Sequence, residues 1–141
     1  MVLEIFRVNG QLLAEGDRLS KQEGLTSARW QVIGALRIAD EPLTVAQIAR
    51  NMGLTRQSVQ RIVDLLSLDG LIEMQPNPRH KRARLALLTE DGRTLAERMS
   101  VIQREWADSL AHQCDEAELL AALDVLTRLQ VALDKRQADD I

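Results

Sequence analysis

With 141 residues, 45% of them apolar, the chain is sized for one domain with a substantial hydrophobic core. No apolar run approaches the roughly 18–20 residues needed to cross a bilayer, Met1 to Arg7 carries a glutamate and no long apolar stretch of the kind a secretory signal needs, and the single cysteine, Cys114, excludes an internal disulfide framework. A cytoplasmic protein without a membrane partner is expected, and the net charge of −3 argues at first against a polyanionic one, because phosphate binding needs cations.

In chain order, residues 2–23 are predicted to be a helix, with Ile5, Val8, Leu12 and Leu19 at helical steps. Gly24 interrupts it, and Thr26 or Ser27 can cap a second helix that carries Trp30, Ile33, Leu36 and Arg37 and ends before Pro42. Thr44 opens a short third helix with Gln47 three residues on, the reciprocal pattern of a capping box. Ile48, Ala49 and Met52 form its buried side, and Gly53 ends it as a left-handed C′ residue would. Thr55 starts a fourth helix with an apolar stripe of Val59, Ile62, Val63 and Leu66, which Gly70 stops. A strand from Leu71 to Met74, a loop from Gln75 to Ala83 and a second strand from Arg84 to Leu88, with Leu85 and Leu87 on one face, give a β-hairpin with a long basic tip. Thr89, Glu90 and Asp91 supply the cap and acidic first turn of a long helix whose stripe is Leu95, Met99, Ile102, Trp106 and Leu110. Cys114 and Asp115 punctuate it. Asp115 with Glu118 opens a last helix through Leu119, Leu123, Leu126 and Leu133, and the Asp-rich end, Ala138 to Ile141, is expected to fray. The expected fold class is mainly α with a small β-hairpin wing (α+β).

The charge is unevenly spread. Residues 1–49 hold five Lys/Arg and six Asp/Glu, residues 50–104 hold ten and six, and residues 105–141 hold three and nine. Pro76 to Arg84 carries four basic residues, a histidine and no acid. An acidic mean thus hides a basic middle, the footprint of one face that meets nucleic acid and another that does not.

The sharpest motif is LTVAQIARNMGLTRQSVQRIVDLLSLDGLIE, Leu43 to Glu73. Two helices about a tight glycine turn, the second longer and polar at its start, make a helix-turn-helix. Opposite the apolar stripe of the second helix stand Thr55, Arg56, Gln57, Gln60 and Arg61. Arginine can donate two hydrogen bonds to guanine, and glutamine can pair with adenine, in the major groove. Singly, each of these residues is also what any solvated helix face carries; the group of five behind a glycine turn favours double-stranded DNA. The hairpin tip adds Arg79, His80, Lys81, Arg82 and Arg84, which can reach the DNA backbone or enter the minor groove.

From Leu25 to Leu95 the chain resembles the MarR family of bacterial winged-helix regulators. The resemblance lies in GLTSARWQVIGAL, the helix-turn-helix, and HKRARLALLTEDGRTL, which is similar to the family's wing signature through Lys81, Arg82, Leu88, Thr89 and Gly92. His80 stands where the family usually has the aspartate that braces the wing, and Ala83 where it often has glycine, so a differently held wing, or one tuned by protonation of His80, is expected. The resemblance implies one domain, 1–141, with a DNA-binding lobe at 26–92 and a helical dimerisation region at 1–25 and 93–138. It also implies a homodimeric repressor of an inverted-repeat operator, relieved by a small-molecule effector.

The remaining features carry less. His112, Cys114, Asp115, Glu116 and Glu118 do not follow a known metal-ligand spacing, and acids at a helix start are explained by its dipole. No metal and no cofactor are expected. Nothing in the sequence marks Cys114 as a low-pKa thiol, and family members that sense peroxide carry their cysteine near the N-terminus. Trp30 and Trp106 belong to the core or a subunit interface, or else wall a ligand pocket. Two histidines, no tyrosine and no nucleophile–base pair argue against an enzyme. The rival to a DNA reader is a helix-turn-helix used for protein contact, with the acidic tail as the partner surface.

Overall fold

The structure, a computed structural model, describes residues 1–139; of the Asp-rich end, Asp140 and Ile141 lie outside the described residues. Six α-helices and three short strands follow in the order α1 (Val2–Ser20), α2 (Ser27–Ala39), β1 (Leu43–Thr44), α3 (Val45–Met52), α4 (Arg56–Leu68), β2 (Ile72–Gln75), β3 (Leu85–Leu88), α5 (Glu90–Ala111) and α6 (Glu116–Asp139). The chain divides into two compact units, residues 1–102 and residues 103–141.

The first helix is shorter than the predicted span of 2–23: α1 ends at Ser20, and Lys21–Glu23 tighten into a 3₁₀ turn. Ser20 is fully buried, and its hydroxyl lies 2.7 Å from the carbonyl of Gly16 and 3.1 Å from that of Leu25. A serine that bonds back to the preceding turn competes with the helical ladder, and Gly24, at φ +68, closes the run in the left-handed conformation, the interruption its sequence position predicts. On the exposed side of α1, Arg18 donates to Glu15 and holds that carboxyl below the usual carboxylate range. Thr26, rather than Ser27, is the cap of α2; its Oγ1 accepts from Arg29 N at 3.3 Å.

The predicted hairpin is the larger part of a three-stranded antiparallel sheet of order β1-β3-β2. Leu43 and Thr44 pair with Ala86 and Leu85, and Ile72 to Gln75 run against Leu88 to Leu85. The buried face of β3 is Ala86 and Leu88; Leu85 and Leu87 are half-buried. The core of residues 1–102 gathers Val32, Ile33 and Leu36 from α2, Ile48 from α3, Val59, Val63 and Leu66 from α4, Ile72 from the sheet, and Leu95 and Met99 from α5. Met52 is half-buried rather than part of this core. Arg29 on α2 is ion-paired with Asp69 at the end of α4, and Arg98 on α5 donates to Glu23 at 2.9 Å, a bond that raises the Arg98 pKa.

The start of α5 is fixed against the turn before β2. Thr89 Oγ1 accepts from Gly92 N at 3.0 Å and donates to the Gly70 carbonyl at 2.7 Å, while Thr89 N donates to Leu71 O at 3.1 Å. Gly92 lies so close to this turn that a Cβ there would fall 2.0 Å from Leu71 O. In residues 103–141, the turn after α5 leads to a reciprocal cap: Asp115 Oδ1 accepts from Glu118 N at 2.8 Å, and Glu118 Oε2 accepts from Asp115 N at 2.9 Å. No helix among the described residues is long and apolar enough to cross a membrane.

Candidate nucleic-acid interface

The helix-turn-helix is set by its caps. Thr44 Oγ1 accepts from Gln47 N at 3.2 Å and Gln47 Oε1 accepts from Thr44 N at 2.8 Å, so both orphan donors at the start of α3 are satisfied. Gly53 takes φ +63, a left-handed conformation that L side chains rarely adopt, and turns the chain toward α4 within two residues. Thr55 caps α4 through Ser58 N at 3.1 Å. With Val59, Ile62, Val63 and Leu66 buried, Thr55, Arg56, Gln57, Gln60 and Arg61 are all exposed.

The wing is held by its own backbone and two side chains. Asn77 Oδ1 accepts from Arg79 N at 2.9 Å, an Asx turn, and two backbone bonds follow, His80 N to Asn77 O at 3.2 Å and Ala83 N to His80 O at 3.1 Å. Arg84 donates to the carbonyl of Met74 at 2.6 Å across the base of the tip. Asn77 thus braces the loop from the other end than the position His80 occupies. Ala83 serves where a glycine was expected, since Asp40 is the one non-glycine residue of positive φ among the described residues.

These elements meet in an open groove of about 520 Å³, with Arg56, Gln57 and Gln60 of α4 on one wall and Arg82 and Arg84 of the wing on another. Arg79, His80, Lys81 and Arg82 surround a shallow concavity at the wing tip. Arg61 and Thr55 are exposed on α4 outside the groove lining, and Arg84 is partly engaged in closing the hairpin. Sequence reasoning missed Asp64, which lines the same groove and accepts from Gln60 Nε2 at 2.8 Å; its place four residues after Gln60 was the available signal. A cationic groove flanked by guanidinium and amide donors is chemically suited to phosphate and base edges.

The weaker candidates are dispersed. Trp30 is buried in the core of residues 1–102. Trp106 is half-buried on the part of α5 in the second unit. An open cavity of about 420 Å³ between the end of α2 and β3 is lined by Arg37 and Arg93, by the carboxylates of Asp40, Glu41 and Glu97, and by leucines, not by Trp30. Cys114 is exposed, and no cluster of metal-ligating side chains occurs among the described residues.

Comparison with known proteins agrees with this geometry. The sequence profile of the MarR family matches residues 23–83. The chain is 39% identical over 137 residues to an uncharacterised protein of Mycobacterium tuberculosis, covering 94% of this chain and 92% of that one. A MarR/EmrR family transcriptional regulator from Acinetobacter superposes with TM-score 0.87 at 26% identity, covering 95% of this chain and 94% of that one. The Staphylococcus aureus regulator MepR in its DNA-binding conformation superposes with TM-score 0.83 at 23% identity, covering 94% and 98%. With its wing, its helix-turn-helix and these relatives, the chain belongs to the MarR family of winged helix-turn-helix transcriptional regulators, which bind DNA.

Proposed function

We propose that the protein is a homodimeric, ligand-responsive repressor that binds an inverted-repeat operator. The observation that carries the dimer is apolar exposure. Leu120, Leu123 and Leu133 on α6 are about three-fifths exposed, and Leu3 and Phe6 on α1 about two-thirds or more, while the lobe of residues 26–92 has a core of its own. Helices this leucine-rich require a partner surface, and a second copy supplies a self-complementary one. In such a dimer α4 of each subunit enters a major groove through Gln57, Gln60 and Arg61. Arg79, Lys81 and Arg82 of each wing reach the adjacent backbone, with His80 between them. Half-site centres then lie about one helical turn, roughly 10 bp, apart.

Relatives of similar identity carry both signs: the Pseudomonas putida protein IacR, 29% identical over 99 residues, is named as a transcriptional repressor, and BadR of Rhodopseudomonas palustris, 28% identical over 99 residues, as a transcriptional activatory protein, so repression rests on the resemblance to the family as a whole. A small-molecule effector is favoured by structural neighbours with aromatic acids, among them Bordetella bronchiseptica BpsR, whose DNA binding is regulated by 6-hydroxynicotinic acid. The open cavity beside Arg37 and Arg93 is also lined by Asp40, Glu41 and Glu97, so its three carboxylates offset the two cations and it is no ready site for an acid of that kind. A DNA reader works where the chromosome is, which supports a cytoplasmic location. Selection of bound sequences from random duplex DNA tests the reading: an inverted repeat is expected, and direct repeats or no enriched sequence would overturn it.

A further inference from the structure

We propose that Asp64 is a positioning residue for sequence choice, making Gln60 select adenine over guanine; this rests on the reading of α4 as the helix that enters the major groove. Gln60 Nε2 donates to Asp64 Oδ1 at 2.8 Å, and both residues line the groove between α4 and the wing. A carboxylate only accepts, so the amide nitrogen of Gln60, and not its oxygen, must face Asp64. One of the two amide N–H bonds is thereby used. What remains for a base is one donor and one acceptor, which match the N7 acceptor and N6 donor of adenine. Guanine presents two acceptors, N7 and O6, and the oxygen of Gln60 meets one of them unfavourably. A glutamine without Asp64 can turn both N–H bonds toward guanine and so accept either purine.

The setting of the carboxylate supports this role. Asp64 is exposed, forms no ion pair among the described residues, and stands in a groove whose other charged walls are Arg56, Arg82 and Arg84. An acid there repels every phosphate, so it weakens binding to all DNA alike. As a helix contact, a Gln–Asp pair four residues apart stabilises an exposed helix only slightly. Purine discrimination is the property that Asp64 supplies and that a residue without an acceptor there would not.

The test is sequence selection from randomised duplex DNA by the full-length wild type and by Asp64→Ala, Asp64→Asn, Gln60→Ala and the double variant Gln60→Ala/Asp64→Ala, each checked by circular dichroism for an intact fold. Wild type should prefer adenine at one position in each half-site. Asp64→Ala should admit guanine there, with the adenine-to-guanine ratio falling about tenfold, within the range of one bidentate base contact, while affinity for all sequences rises. Asp64→Asn, which can donate as well as accept, should give the same rise with an intermediate ratio. Gln60→Ala should lose the preference, and adding Asp64→Ala should change its base profile no further. A uniform change in affinity without a change in base preference, a shift that persists without Gln60, or no adenine preference dependent on Gln60 would overturn the proposal. If wild type enriches no sequence at all, the reading of α4 falls first and this proposal with it.

Discussion

Replacing Gly92 with alanine should destabilise the fold markedly, because the added methyl has nowhere to go. Its ideal position is 2.0 Å from Leu71 O and 3.0 Å from Leu71 C, both backbone atoms that no rotamer change can move. Relief requires α5 and the turn before β2 to separate by about an ångström or more, given the 3.5–4.0 Å optimum of nonbonded contacts. The two bonds from Thr89 to the Gly70 and Leu71 carbonyls span that same gap and weaken together. Overpacking costs about 1–3 kcal/mol, and each hydrogen bond adds about 0.5–1.5 kcal/mol. The better helix propensity of alanine returns about 1 kcal/mol. The net loss is about 1–5 kcal/mol, which lowers Tm by roughly 3–20 °C for a domain of this size. Gly34 is the control: it lies inside α2, and a Cβ there meets nothing within 4 Å. Gly34→Ala should therefore raise stability by about 0.5–1 kcal/mol. Thermal unfolding by circular dichroism at one fixed protein concentration compares the pair, since dimerisation makes Tm concentration-dependent. Gly92→Ala melting at or above wild type would refute the reasoning, and so would the two variants shifting in the same direction.

Recognition helix and wing should fail differently. Arg61→Ala should cost about 1–3 kcal/mol on operator DNA and relax preference at particular base pairs, whereas Arg82→Ala should weaken operator and scrambled DNA alike and flatten log K against log salt by about one unit; a salt titration of both variants on both DNAs reads this. Leu123→Asp with Leu126→Asp, at exposed positions of α6, should yield a folded monomer by sedimentation with operator affinity sharply reduced. Thr44→Ala removes the capping box of α3 and should cost about 1 kcal/mol in urea unfolding, with the dimer intact.

What the sequence made legible follows the range of the interactions that decide it. Caps act over three residues, and Thr44 with Gln47, Gly53, Thr55, and Asp115 with Glu118 stand in the structure as the sequence predicts. Long apolar stripes on α2, α4 and the first part of α5 set their buried faces for the same reason. β1 escaped because two residues carry no periodicity, and Thr44 also serves as a helix cap. The buried face of β3 was ambiguous because Leu85–Leu88 is apolar throughout, and the choice falls to a contact forty-three residues away in sequence, Leu43 opposite Ala86. In the first region Gly24 ends the helical run as the sequence predicts, while the tightening of Lys21–Glu23 into a 3₁₀ turn leaves no mark on the apolar steps, the last of which is Leu19.

The candidate site divides along the same line. Which cations and amides face outward on α4 was readable, since a helix with one apolar stripe has a defined opposite face. How those groups are engaged was not. Arg84 reads as one more basic residue of the tip, yet its guanidinium bonds the Met74 carbonyl across the base of the hairpin. Asn77 reads as one residue of a polar loop, yet its side chain accepts from Arg79 N and closes an Asx turn at the start of the tip. Composition therefore overstates the number of free cations in the wing. Arg79, Lys81 and Arg82, exposed and with none of the ion pairs found among the described residues, are the ones positioned to answer to phosphate.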